Sequence, residues 1–160
     1  MTIWPIKKLM EERIERFKNK VIQMIEWKDS YRLGIDIIDE QHKKLFDIAE
    51  EAESIMEMPE HVDRFDEIIT ILNELRDYVK YHFEQEEKLL LEIQYNKFFD
   101  HKVAHNDFIE HISAFDIDEI DEHQTEKCLE LVRMLIDWLI EHVLEKDKQW
   151  AKIYKEKHSI

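Results

Sequence analysis

Residues 78–105 read YVKYHFEQEEKLLLEIQYNKFFDHKVAH. His82 and Glu86 stand four apart, and so do His101 and His105. On an α-helix, positions i and i+4 lie one above the other on the same face. Each pair is therefore a two-pronged clamp, one of imidazole and carboxylate, the other of two imidazoles. Both pairs lie in runs that read as helix, and the rest of the chain can be understood as bringing further ligands to them.

Working outward, the apolar spacing predicts a helix from about Ile38 to Met56, with Leu45, Ile48, Ala52 and Ile55 on one face. Met58-Pro59 ends it, because the residue before proline is driven out of the helical region. A second helix is predicted from about Val62 to Leu91, its stripe running through Phe65, Ile68, Ile69, Leu72, Leu75, Val79 and His82. A third spans about Lys97 to Phe115, and the acidic segment 116–122 reads as a loop. A fourth runs from about His123 to Val143 with Leu131, Leu135, Trp138 and Leu139 inward, and a short tail helix follows from about Lys146 to Lys157. Four long helices with short connections predict an all-α, up-down-up-down antiparallel four-helix bundle over residues 26–160. Composition agrees: one glycine (Gly34) and two prolines in 160 residues leave little for turn-rich β architecture, given a usual share of roughly 12% for the two together. Residues 26–38 are aromatic and irregular, with a turn at Gly34, and read as an extended arm on the bundle.

Residues 1–25 read as an extension, an extra N-terminal amphipathic helix. Met10, Ile14, Phe17, Val21 and Met24 recur at spacings of four and three, a heptad-like stripe. Six cations against three carboxylates give residues 1–20 a charge of +3, so the remaining 140 carry −18 of the net −15. The stripe suits a helix capping the same domain, self-association, a partner helix, or, with Trp4 and the basic flank, a membrane surface. The net charge argues against nucleic acid, which is bound through cationic contacts to phosphate. No apolar run reaches the roughly 18 residues of a membrane span, and no secretory signal pattern opens the chain. The single cysteine, Cys128, falls in register with Leu131 and Leu135; it predicts a buried thiol and a cytoplasmic setting.

Nine histidines occur, at 42, 61, 82, 101, 105, 111, 123, 142 and 158. A lone histidine on a helix is weak evidence for a metal. The joint pattern is stronger, because His42, His82, His101 with His105, and His142 place at least one ring on every helix of the bundle. His61, His111, His123 and His158 lack such partners and read as structural. Glu86 and Asp147 complete a set of five imidazoles and two carboxylates, too many for one ion and suited to two. If both carboxylates bridge, the protein supplies nine metal–ligand bonds. A bridging oxygen from water then leaves one position open, as a small-molecule site requires. Imidazole and carboxylate ligands suit iron, with manganese or zinc as other occupants. His142 and Asp147 are five apart, about 140° around a regular helix, so a break, a π-turn or a tightened turn is predicted between Val143 and Asp147.

These residues carry a resemblance. Gly34-Ile35-Asp36, Asp39-Glu40-Gln41-His42-Lys43-Lys44-Leu45-Phe46, His82-Phe83-Glu84-Gln85-Glu86-Glu87, His101 with His105, Trp138-Leu139-Ile140-Glu141-His142 and Asp147-Lys148 resemble the hemerythrins, particularly the bacterial ones, over about residues 24–155. Trp27 matches the family's arm. The resemblance implies one iron held by His101, His105 and His142, and another, with the vacancy, held by His42 and His82. Glu86 and Asp147 bridge them beside an oxo or hydroxo bridge. It implies reversible dioxygen binding, as carrier, store or sensor, rather than an enzyme. Five neutral imidazoles favour the reduced pair, where carboxylate-rich diiron oxidases favour O–O cleavage. Leu45, Phe83, Leu139 and Val143 are expected to line the O2 pocket and exclude water. Two alternatives use the same vacancy: a peroxidase or scavenger of nitric oxide or peroxide, and a redox-responsive signalling module acting through the N-terminal helix.

Overall fold

The structure is a computed structural model that describes residues 25–59 and 61–160. Of the first 24 residues it describes only Lys8, Leu9, Glu12, Arg13, Glu15, Arg16, Asn19, Lys20 and Gln23. Those nine are helical in backbone and exposed. The stripe of Met10, Ile14, Phe17, Val21 and Met24 lies outside the described residues.

The chain enters the bundle through an arm. Ile25 is buried in the main core, and Trp27 and Tyr31 pack on Phe46, with ring centroids 5.5 and 5.3 Å away. At Gly34 the backbone turns with φ of 84°, a conformation that favours glycine. The Asp39 carboxylate fixes this turn by accepting the N–H groups of Leu33 (2.6 Å) and Gly34 (3.0 Å). Helix α1 follows, Asp36–Met56, then α2, Phe65–Glu92, and α3, Phe98–Ser113. The segment predicted as a loop contains a helix instead, α4, Ile117–Glu122. Asp116 caps it by accepting from Asp118 and Glu119 N–H, and the single apolar residue that matters, Ile120, is fully buried. Capping and one anchoring contact outweigh the acidic composition that suggested a loop.

Helix α5, Gln124–Trp138, passes without a break into a π-helical segment, Leu139–Lys146, and then into α6, Asp147–His158. Helices α1, α2, α3 and α5 form the bundle. His42 early in α1 meets Glu86 late in α2, and Glu86 meets His101 early in α3 and His142 in the π segment. Successive helices therefore run antiparallel, and all the candidate ligands gather at one end. Below them lies the main core, built of buried residues such as Leu45, Ile48, Leu72, Leu75, Val79, Leu131 and Leu135. Cys128 is buried there, and its burial pushes the thiol up to about 11. Beyond the ligands a second apolar cluster closes the end of the bundle: Leu33, Ile35, Ile38, Leu90, Ile93, Tyr95, Trp150 and Ala151. At the opposite end Arg64 ties the α1–α2 connection to α5, donating to Met58 carbonyl (2.5 Å) and Thr125 Oγ1 (2.6 Å). Among the described residues, no helix is long and apolar enough to cross a membrane.

Candidate metal centre

Between the two apolar clusters sit seven polar side chains: His42, His82, Glu86, His101, His105, His142 and Asp147. The structure thus brings together all seven residues singled out in the sequence. Their ligand atoms form two groups, Glu86 with His101, His105 and His142, and Glu86 with His42, His82 and Asp147. Every one is buried.

The carboxylates are split between the groups oxygen by oxygen. Glu86 Oε1 pairs with His101 and lies 3.3 Å from His105 Nε2 and 3.8 Å from His142 Nε2. Its Oε2 faces the other way, 3.4 Å from His82 Nε2 and 3.8 Å from His42 Nε2. Asp147 does the same: Oδ1 lies 3.2 Å from His101 Nε2 and 3.3 Å from His142 Nε2, and Oδ2 lies 3.2 Å from His42 Nε2. Asp147 reaches this position because the π segment replaces the regular helix. Its backbone N–H bonds the carbonyl of His142, five residues back, which stacks residues five apart on one face. Of the break, π-turn or tightened turn predicted between Val143 and Asp147, the structure has the π form, and it begins earlier, at Leu139.

The electrostatics are those of an acid–base cluster held away from water. Burial opposes a charge on His42 and on His101, but the carboxylates of Asp147 and Glu86 outweigh it and raise both rings to about 9. His82 goes the other way, to about 3, because burial dominates. Burial also opposes ionisation of Glu86 and Asp147, yet the surrounding imidazoles hold both below the usual carboxylate range.

Four atoms test whether a cation belongs here. His42 Nε2, His82 Nε2, Glu86 Oε2 and Asp147 Oδ2 are buried and make no hydrogen bond. They face one another at 3.2–3.8 Å without hydrogen-bond geometry, so they are close but not aimed at each other. All four belong to the same group, whose ligand atoms lie within 4.8 Å of one another. Imidazole nitrogens and carboxylate oxygens converging on one dry point are, once the rings give up their protons, the donor set of a divalent transition metal.

Residues that position the ligands carry a weaker sequence signal. Gln41 Oε1 accepts from His82 Nδ1 (2.8 Å), Glu87 Oε1 accepts from His105 Nδ1 (3.0 Å), and Trp150 Nε1 donates to Asp147 Oδ1 (3.2 Å). Gln41 and Glu87 each adjoin a ligand in the chain, and a metal-bound imidazole requires an acceptor for its second nitrogen; that need was the available signal. Phe83, expected to line the O2 pocket, lies against both halves. Its ring stacks on His105 with centroids 3.8 Å apart and is 5.7 Å from His82. Trp138 stacks on His142 at 4.6 Å. Leu45, Leu139 and Val143 are buried in the adjoining core. The remaining histidines stay out of both groups: His61, His111 and His123 are exposed, and His158 bonds Glu92 and the Tyr154 carbonyl.

A family model described as the hemerythrin HHE cation binding domain matches residues 33–154. The chain belongs to the hemerythrin family. A bacteriohemerythrin of Clostridium acetobutylicum is 41% identical over 127 residues, covering 79% of this chain and 98% of that protein. A bacteriohemerythrin of Stenotrophomonas maltophilia is 28% identical over 136 residues, 80% of each chain. A hemerythrin of Themiste dyscrita is 29% identical over 117 residues, 73% of this chain and 82% of its own length. The hemerythrin match contains all seven clustered side chains and leaves residues 1–32 outside it.

Proposed function

We propose that this hemerythrin-family chain binds dioxygen reversibly at a pair of iron ions. The observation that carries the reading is the division of each carboxylate between two ligand groups. His101, His105 and His142 would hold one ion, His42 and His82 the other, and Glu86 and Asp147 would bridge them. The second ion receives one imidazole fewer, so the open position falls on its side. When bound and reduced, the iron pair supplies the electrons and the open coordination position for dioxygen, with an oxo or hydroxo bridge between the ions.

The chain's own part is to orient and to exclude. The hydrogen bonds at Nδ1 of His82 and His105 leave Nε2 of both rings free to face the ions. Phe83, stacked on His105, and Leu45, Leu139 and Val143, buried in the adjoining core, would keep out water and anions that promote autoxidation. The single buried thiol suits a reducing cytoplasm.

The test is a titration of the reduced, iron-loaded protein with O2, followed by argon. The expected result is an oxygenated spectrum at one O2 per chain that reverts under argon. Leu139→Ala is expected to keep both ions and autoxidise faster. Absence of the oxygenated spectrum, or O2 consumed and never recovered, overturns reversible binding in favour of an enzymatic role.

A further inference from the structure

Two of the rings that turn Nε2 toward the centre, His105 and His82, are held through the second nitrogen, and the partner differs between the two halves; Nδ1 of His42 and of His142 makes no hydrogen bond. His105 Nδ1 donates to Glu87 Oε1 at 3.0 Å, and the other oxygen of that carboxylate takes Lys102 Nζ at 2.5 Å. His82 Nδ1 donates to Gln41 Oε1 at 2.8 Å, and Gln41 Nε2 reaches the Tyr81 hydroxyl at 3.4 Å. Both braces are sheltered, the Glu87 side chain at 15% exposure and Gln41 at 5%. One is an anion and the other a neutral amide. A carboxylate draws the Nδ1 proton more strongly than an amide does, leaving more electron density on Nε2 and a stronger metal donor.

Resting on the two-iron reading, we propose that Glu87 and Gln41 are positioning residues that make the halves of the centre electronically unequal. The anionic brace strengthens the donor set of His101, His105 and His142, and so favours the ferric state there. The neutral brace leaves the His42 and His82 ion with weaker donors. That ion, which carries the open position, is then the stronger Lewis acid and the one that holds its electron longer. The stacking of Phe83 on His105 fixes the ring plane along which this effect is transmitted. Glu87 and Gln41 would thus set which iron keeps the vacancy usable, although neither touches the ligand.

Charge and geometry can be separated by substitution. The metal-free chain is titrated with Co2+ against a competing chelator, and the midpoint potential of the iron-loaded chain is measured. Wild type should take up two ions. Glu87→Ala, which removes the brace, should weaken one of the two about 10–100-fold and leave the other unchanged. Glu87→Gln keeps the hydrogen bond and should recover most, though not all, of that affinity. It should also lower the preference for ferric over ferrous iron about tenfold, a rise of about 59 mV for a one-electron couple. Gln41→Glu should move the potential the opposite way. Glu87→Gln with a wild-type potential, or Glu87→Ala weakening both ions equally, overturns the inference while leaving the two-iron reading intact. Fewer than two ions in wild type overturns both.

Discussion

At the scale of single residues the metal-free site is governed by opposed pKa shifts, and they fix how its stability depends on pH. His42 and His101 are raised from 6.5 to about 9 by the buried carboxylates. A group raised in the folded state stabilises the fold fully below its unfolded pKa, and that contribution disappears as pH climbs through the folded value. For these rings the loss runs from pH 6.5 to about 9. His82, lowered to about 3 by burial, acts on the other side: below pH 6.5 the unfolded ring takes a proton the folded one refuses. Glu86 and Asp147, held low, add to the acid-side loss. The metal-free chain should therefore be most stable near pH 6.5 and should lose melting temperature toward pH 9. With ions bound, His42 and His101 are neutral ligands and the alkaline loss disappears. The gap in melting temperature between loaded and metal-free protein should widen from pH 6.5 to 9. A gap that stays constant would show that these rings are not the ligands. Four of the seven candidate ligands, His82 with Glu86 and His101 with His105, were legible in the sequence because i,i+4 spacing on a helix has one geometric meaning; His42, His142 and Asp147 were legible only jointly with them. Gln41 and Glu87 were harder to read, because a polar residue beside a ligand could point anywhere until the packing of α1 on α2 and of α2 on α3 is fixed.

At the scale of elements the π segment is the feature that completes the site. The spacing of five between His142 and Asp147 required a departure from regular helix, and the sequence showed that much. It did not show the length of the departure, which spans Leu139–Lys146, because the spacing of two residues fixes that a helix must yield between them and not how far upstream. A widened segment behaves as a regular helix carrying one extra residue. Deleting the exposed Glu145 should restore regular α-helix and set His142 and Asp147 four apart, still on one face. Inserting an alanine after Glu145 should instead turn Asp147 and all of α6 by about 100°. Metal analysis should find two ions per chain in the deletion variant and fewer in the insertion variant. Two ions in the insertion variant would exclude Asp147 as a ligand. Helix α4 shows the limit of composition: six residues, four of them acidic, fold as a helix because Asp116 caps them and Ile120 finds the core.

At the scale of the whole molecule, charge and family coverage divide the chain in the same place. The hemerythrin match spans residues 33–154, while the basic, heptad-like segment precedes it. The bundle was legible because four apolar stripes at helical spacing, with almost no glycine, have few other ways to bury themselves. The role of the first 24 residues was not, because an amphipathic stripe specifies that something covers it and not what does. Ile25 is already buried in the main core, so a truncation that probes the extension must spare it. We propose that residues 1–22 act as a separate unit that associates with another copy or a partner. Deleting them should leave two ions per chain and the same oxygenated spectrum, because none of the seven candidate ligands nor their braces lies there. What should change is the mass in solution by light scattering, or the binding of a hydrophobic dye to a face left uncovered. If the truncated chain keeps its mass and loses its ions, the segment is instead a fifth wall of the bundle, and its stripe packs against the domain that holds the metals.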